Sequence, residues 1–316
     1  MDEHRYPGRP GLAAVTRIAR RALASAGELR ITAIESGVST WVYRLQHGDE
    51  VFYLRIWPDV GPSFAPEALA HRLVREHGVP AAEVIYWEHC DPLIKRSVMV
   101  TTEIPGQPIG YDVPAADLRP VLVAAGRDMA RINSVPVAGF GWVRRGPIDF
   151  TRLLGDDPTH SAFVRAQIAE YVPVLEAAGL LPLREQQALV RLVADAERSL
   201  HVEQAWLAHG DLDATHIFHT GGLYTGIIDF GDIRGADRWY DLGHLYLNNP
   251  AMLPFVLEGY VQETVLPADH MQPIRLWSLL IAVRGLGRRV LRRPDKASED
   301  PDLAAIRRVL AELTKG

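Results

Sequence analysis

Two aspartates eighteen positions apart constrain this chain more than any other feature in it. Between Asp211 and Asp229 lie a short apolar run, Ile217-Phe218, a Gly221-Gly222 pair, and a second apolar run ending in Ile227-Ile228. Apolar runs separated by two glycines predict a hairpin, with one acid in the loop before its first strand and the other at the end of its second. A hairpin brings its open ends together, so both carboxylates can face one small volume. One acid can then accept a proton from a hydroxyl while the other holds a divalent cation, the division of labour used in phosphoryl transfer. A single aspartate near a turn is as readily a cap or an Asx turn. It is the pair at this spacing, closed by an apolar strand, that points to chemistry.

The residues flanking the two acids carry a more specific signal. His209-Gly210-Asp211-Leu212, then His216-Ile217-Phe218, then Ile227-Ile228-Asp229-Phe230-Gly231-Asp232 resemble the catalytic and metal motifs of the aminoglycoside phosphotransferase and choline kinase-like family. The resemblance implies an α+β, bilobal, protein-kinase-like fold: an N-terminal antiparallel sheet with helices, and a mostly helical C-terminal lobe. It makes Asp211 the catalytic base, His216 a side chain that helps hold metal, and Asp229 the counterpart of the first acid in the kinase Asp-Phe-Gly. Most of the family has Asn at the place of His216, and certain aminoglycoside and macrolide kinase branches have His. Mg²⁺ prefers oxygen ligands while imidazole suits softer ions, so the expected cofactors are ATP or GTP with Mg²⁺ or Mn²⁺.

Read from its start, the chain predicts a helix over 12–26, then strands over 29–35, 41–46 and 51–57 joined by short turns, an antiparallel meander. The loop Ser36 to Thr40 contains Gly37, which permits close backbone approach to a phosphate, and Ser39, which adds a hydroxyl donor. Alternation on the third strand puts Val51, Tyr53, Arg55 and Trp57 on one face and Phe52, Leu54 and Ile56 on the other. By resemblance, Arg55 stands where the family has Lys or Arg to contact nucleotide phosphates. The helix predicted over 66–77 carries Glu67 in its first turn, and the resemblance makes it the partner that orients Arg55. Dipole compensation at a helix N-terminus accounts for the same glutamate.

The strand over 97–102 runs into Glu103-Ile104-Pro105-Gly106, similar to the family's hinge, where backbone groups of Thr102, Glu103 and Ile104 would meet the adenine or guanine edge. Pro, Gly and polar residues from 105 to 114 support a linker. The expected lobes are therefore 1–104, binding nucleotide, and 105–316, holding the catalytic residues and the acceptor. Helices are predicted over 115–132 and over much of 153–200. The segment Asp237 to Gly243 resembles the family's buttress of the active site, with Asp241 bonding the catalytic loop.

With Cys90 as its only cysteine the chain has no intrachain disulfide and no cysteine-based metal site. The net charge of −5 argues against a general nucleic-acid binder, and the absence of a long apolar run or signal-like start argues for a cytoplasmic, non-membrane protein. The average conceals a gradient. From 136 to 271 there are 18 Asp and Glu against 9 Arg and no Lys, whereas 272 to 316 has 10 Lys and Arg against 5 acids. The acidic part is the part expected to hold the acceptor, which favours a cationic antibiotic, an aminoglycoside first. A macrolide comes second and an endogenous sugar or amino alcohol third. Two other classes stay open: a metallohydrolase built from His201, His209, Asp211, Asp213, His216 and His219, and a nucleotide-binding pseudokinase. The sequence leaves the oligomeric state unknown.

Overall fold

The structure is a computed structural model that describes residues 8–35, 39–110, 113–146, 151–199, 202–293 and 300–314. Helix α1 (Leu12–Ala22) turns Val15, Ile18 and Ala19 inward, an apolar stripe at helical spacing that covers the first sheet. Strands β1 (Arg30–Ile34), β2 (Trp41–His47) and β3 (Glu50–Ile56) form the expected meander. Phe52, Leu54 and Ile56 on β3 are buried beneath α1 together with Trp41, Tyr43 and Leu45 of β2. Next come α2 (Ala65–Glu76), β4 (Val84–Glu88) and β5 (Val98–Thr102), and the antiparallel sheet closes in the order β1-β2-β3-β5-β4. Pro66 in the first turn of α2 has the fixed φ a helix start needs.

Helix α2 belongs to two cores. Ala68 packs with Phe64 and Met99 under the sheet, while Leu69, Ala70 and Val74 join the large core formed mainly by the rest of the chain. The two-residue strand β6 (Gln107–Pro108) then carries the chain across to that larger body.

The larger body is mostly helical. The stretch expected as one helix over 115–132 opens as a 3-10 turn, Ala115–Leu118, before α3 (Arg119–Ile132), where Pro120 has no N–H to bond back to Ala116 and continue one helix through the junction. Three short strands follow, β7 (Pro136–Val137), β8 (Phe140–Val143) and β9 (Gly155–Asp157), then α4 (His160–Ala169), α5 (Val172–Ala177) and α6 (Leu183–Ser199). β9 occupies the start of a region expected to be helical. Strand β10 (Ala205–Ala208) leads into the catalytic loop, β11 (Ile217–Thr220) and β12 (Leu223–Ile227) form the predicted hairpin, and β13 (Arg234–Ala236) completes a sheet ordered β7-β10-β13-β8-β9. Helices α7 (Trp239–Asn248), α8 (Leu253–Tyr260), α9 (Met271–Arg292) and α10 (Pro301–Leu313) enclose the core, with α9 buried along most of its length. Among the described residues no helix is long and apolar enough to cross a membrane.

Helices α3 and α8 cross in close contact because glycines face backbone there. A methyl group on Gly259 would overlap the carbonyl oxygen of Val123, and one on Gly126 would overlap that of Val256. Gly259→Ala is accordingly expected to destabilise the fold by about 1–3 kcal/mol, the usual cost of overpacking. Chemical denaturation would measure it, and an unchanged midpoint would contradict the close packing of this crossing.

Candidate active site

The hairpin forms because Gly221 and Gly222 both adopt positive φ, +57° and +81°, which a two-residue turn of the right hand requires. Its register pairs Ile217 with Ile227. The loop before it is held by α7. Asp241, fully buried, accepts hydrogen bonds from the backbone N–H of His209 and of Gly210, each at 2.9 Å, and from Asn133 Nδ2 at 2.9 Å. Gly210 has φ +90°, and a side chain there would collide with the Asp232 carbonyl, so the residue before Asp211 must be glycine. Its carbonyl accepts from Arg234 Nη1 at 2.7 Å. Arg234 is buried between the rings of Trp142 and Tyr240, and burial pushes its guanidinium down to about 10.

The Asp211 side chain stands at the mouth of the cleft, 48% exposed, with Oδ1 3.2 Å from His244 Nε2. Loss of solvation in the cleft works to raise its pKa, but the hydrogen bond and charge of His244, followed by the charges of His216 and His209, bring it below the ordinary carboxylate value. His216 donates from Nδ1 to the Asp211 carbonyl oxygen at 2.6 Å. That bond orients the ring so that Nε2 faces Asp229, 3.9 Å from Oδ2. Asp229 itself is left-handed, with φ +63° and ψ +67°, an uncommon state for a residue with a side chain. Its Oδ1 caps the N–H of Gly231 at 3.2 Å and lies 3.7 Å from Arg55 Nη2. Desolvation opposes the ionised form here too; Arg55 first, then His216 and His209, outweigh it and hold this carboxyl below its usual range.

Arg55 connects the two lobes. It pairs with Glu67, which is fully buried, its Nε lies 3.4 Å from Thr40 Oγ1, and its guanidinium sits 5.3 Å from the centre of the Phe64 ring. Burial works against the charge, yet Glu67 and Asp229 keep the guanidinium pKa raised. Glu67 has a second partner that the sequence did not reveal: Arg145 Nη1, 3.2 Å from Oε2, whose Nη2 also donates to the Gly231 carbonyl. Phe230, between Asp229 and Gly231, packs against the rings of His71 on α2 and His209 in the catalytic loop, with centroids at 4.9 and 5.0 Å. A continuous set of contacts thus runs from Glu67 through Arg55 to Asp229, His216 and Asp211.

Gly37 lies outside the described residues; Ser39 is exposed and precedes Thr40, the contact of Arg55. The N–H groups of Thr102 and Glu103 already serve the sheet, donating to the carbonyls of Glu83 at 2.9 Å and Val51 at 3.2 Å. Of the expected hinge amides, those two are committed, and Ile104 follows them on the way to β6. The residues offered for a metallohydrolase diverge. His209 donates from Nε2 to the Ile228 carbonyl at 2.8 Å, Asp213 caps Thr215 at 2.7 Å, and His219 lies beside the Gly222 turn at the far end of the hairpin, while His201 is outside the described residues. Among the described residues these side chains do not gather round one point, and that centre does not assemble from them.

The donor set suits a cation that retains other ligands. Among the described residues no three His, Cys, Asp or Glu side chains gather as a metal site. His216 Nε2 and the Asp229 carboxylate face each other at a separation that two ligands of one ion can span, and a divalent cation held there would take its remaining ligands from elsewhere. The residues fit the ion.

Comparison with solved structures gives the same architecture. The aminoglycoside phosphotransferase APH(4)-Ia superposes with a TM-score of 0.72 over 95% of this chain and 99% of its own, at 16% identity. A thermostable mutant of that enzyme, solved as a ternary complex with AMP-PNP and hygromycin B, gives 0.69 over 94% and 98%, at 15% identity. The amicoumacin kinase hAmiN, in complex with AMP-PNP, Ca²⁺ and Ami, gives 0.61 over 96% of each chain at 15% identity. The macrolide 2′-phosphotransferase MphH from Brachybacterium faecium gives 0.59 over 93% and 97%, at 17% identity. No curated protein matches the chain. The sequence model of the phosphotransferase enzyme family, however, matches residues 30–277, a span reaching from β1 to Trp277 of α9 and containing both aspartates. The protein-kinase-like fold and this match together establish that the chain belongs to the phosphotransferase enzyme family and transfers a phosphoryl group to an alcohol.

Proposed function

We propose that this chain moves the γ-phosphoryl group of ATP or GTP to a hydroxyl of a cationic antibiotic, an aminoglycoside in the first instance. The observation that carries the reading is the contact path Glu67–Arg55–Asp229–His216–Asp211, which brings a guanidinium, a carboxylate–imidazole pair and a half-exposed carboxylate together. Lobes of 1–104 and 105–316 would hold nucleotide between them. Arg55, oriented by Glu67, holds phosphate together with the loop at Gly37 and Ser39. The base is met at the edge formed by Thr102, Glu103 and Ile104, through the carbonyls and the amide of Ile104, since the other two amides serve the sheet.

Asp229 and His216 are the residues that would hold the divalent cation, which when bound neutralises charge on the phosphates. Asp211 orients the acceptor hydroxyl and takes its proton as the oxygen–phosphorus bond forms and the bond to the departing nucleoside diphosphate breaks. The acidic balance of residues 136–271, and the carboxylates of Asp211, Asp229 and Asp232 at the cleft mouth, support an acceptor bearing amines. Nucleotide turnover with ATP and with GTP, over a panel of aminoglycosides, macrolides and small alcohols, tests this. Stimulation by aminoglycosides is the expected result; stimulation by none of the panel would overturn the acceptor assignment.

His216 makes a separate prediction. An imidazole nitrogen favours the softer ion, so His216→Asn is expected to lower the ratio of Mn²⁺- to Mg²⁺-supported rate about tenfold. An unchanged ratio would remove His216 from the metal site.

A further inference from the structure

The carboxylate of Asp211 is held from behind. His244 on α7 places Nε2 3.2 Å from Asp211 Oδ1, and its side chain is only 10% exposed. The other ring nitrogen, Nδ1, lies 3.2 Å from the Leu212 carbonyl oxygen and 3.2 Å from Asn248 Nδ2, which itself donates to the His244 carbonyl at 3.0 Å. His244 follows Asp241 by three positions, so both side chains project from one face of α7 toward the catalytic loop. Asp241 holds the loop by its backbone, and His244 reaches its reacting group.

We propose that His244 is a positioning residue for Asp211: its Nε2–H holds Oδ1, fixes the plane of the carboxylate, and leaves Oδ2 directed at the acceptor hydroxyl. The inference rests on the reading of Asp211 as the base. Both charge states of the imidazole can do this. The neutral ring donates from Nε2 while Nδ1 accepts from Asn248; the protonated ring donates from Nε2 to Asp211 and from Nδ1 to the Leu212 carbonyl. The clamp therefore persists whichever form is present. In the transfer the hydroxyl proton passes to Asp211 Oδ2, the acceptor oxygen bonds to phosphorus, and the electron pair of the broken bond leaves on the nucleoside diphosphate. His244 gives up no proton.

An N–H donated to a charged acceptor is among the stronger hydrogen bonds, so its loss should be visible in rate.

The test is made on the whole protein, without nucleotide, by crystal structures of His244→Leu and His244→Gln. In His244→Leu the Asp211 carboxylate is expected to turn from its wild-type plane or to occupy two orientations, and in His244→Gln, which keeps an N–H donor, to stay in place. With an acceptor found in the turnover panel, His244→Leu should lose about thirtyfold in kcat at unchanged nucleotide KM, and His244→Gln should recover most of it. A loss of packing alone would not be rescued by Gln. The clamp is overturned if His244→Leu, with a wild-type melting temperature, keeps the Asp211 carboxylate in its wild-type orientation or keeps the wild-type kcat. Should His244→Leu fold poorly, His244→Gln decides: a carboxylate that turns away although a donor is present shows that the donor is not what holds Asp211. Turnover that survives Asp211→Asn would instead remove the base itself, whatever the orientation gives.

Discussion

Replacing Asp211 by Asn is expected to reduce kcat about a thousandfold while leaving the nucleotide KM within about twofold. The amide matches the carboxylate in shape and still presents an oxygen to His244, but it cannot take up the hydroxyl proton. The loop around it is unaffected, because His209 and Gly210 are held through backbone N–H groups by Asp241 rather than through the Asp211 side chain. Steady-state kinetics with the best acceptor of the panel, beside a melting curve to show an intact fold, would measure the effect. A variant retaining more than about a tenth of the wild-type kcat would mean that proton removal is not the task of Asp211.

The second large effect concerns stability. Glu67 is fully buried and is the shared partner of Arg55 and Arg145, both mostly enclosed. Glu67→Ala would leave two guanidinium groups without their common counter-charge, and breaking such a buried pair by removing one partner costs about 3–5 kcal/mol. Arg55 would retain Asp229 at 3.7 Å and Arg145 the Gly231 carbonyl, so nucleotide affinity should fall with stability rather than after it. Urea denaturation and nucleotide titration on the same variant would show both losses. A variant within about 1 kcal/mol of wild type would mean that the two arginines find other partners.

Much of this site was legible in the chain because its parts are local. The double glycine at 221–222 predicts a two-residue turn, and the turn sets the two aspartates at its open ends. Alternation on β3 separates Arg55 from its apolar neighbours, and a glutamate in the first turn of the following helix lies within reach of it. Asp241 was legible through its motif. What escaped depends on pairing over long separations. Arg145 is 78 residues from Glu67, and nothing in Val143-Arg144-Arg145 distinguishes a buried link from two solvated cations. The strands β6 and β7 are two residues each and carry no periodicity to detect. The commitment of the Thr102 and Glu103 amides to Glu83 and Val51 depends on which strands lie alongside, information that a strand running into Pro105-Gly106 does not contain. His244 could have been found. It lies one residue beyond the segment singled out around Asp241, and counting three positions along a helix puts it on the same face.

The double anchorage of α2 bears on how such an enzyme can be controlled. In the kinase fold, a helix at this place is a natural control lever when it can tilt away from the site. Here its first turn is tied by Glu67 to arginines on either side of the cleft, and its later turns lie in the large core through Leu69, Ala70 and Val74. Tilting it outward would separate buried charges and open apolar packing together, at a cost no single covalent modification on the surface readily supplies. A catalyst built this way has no inexpensive off position in that helix. The same anchorage holds Arg55 beside Asp229 before any nucleotide arrives.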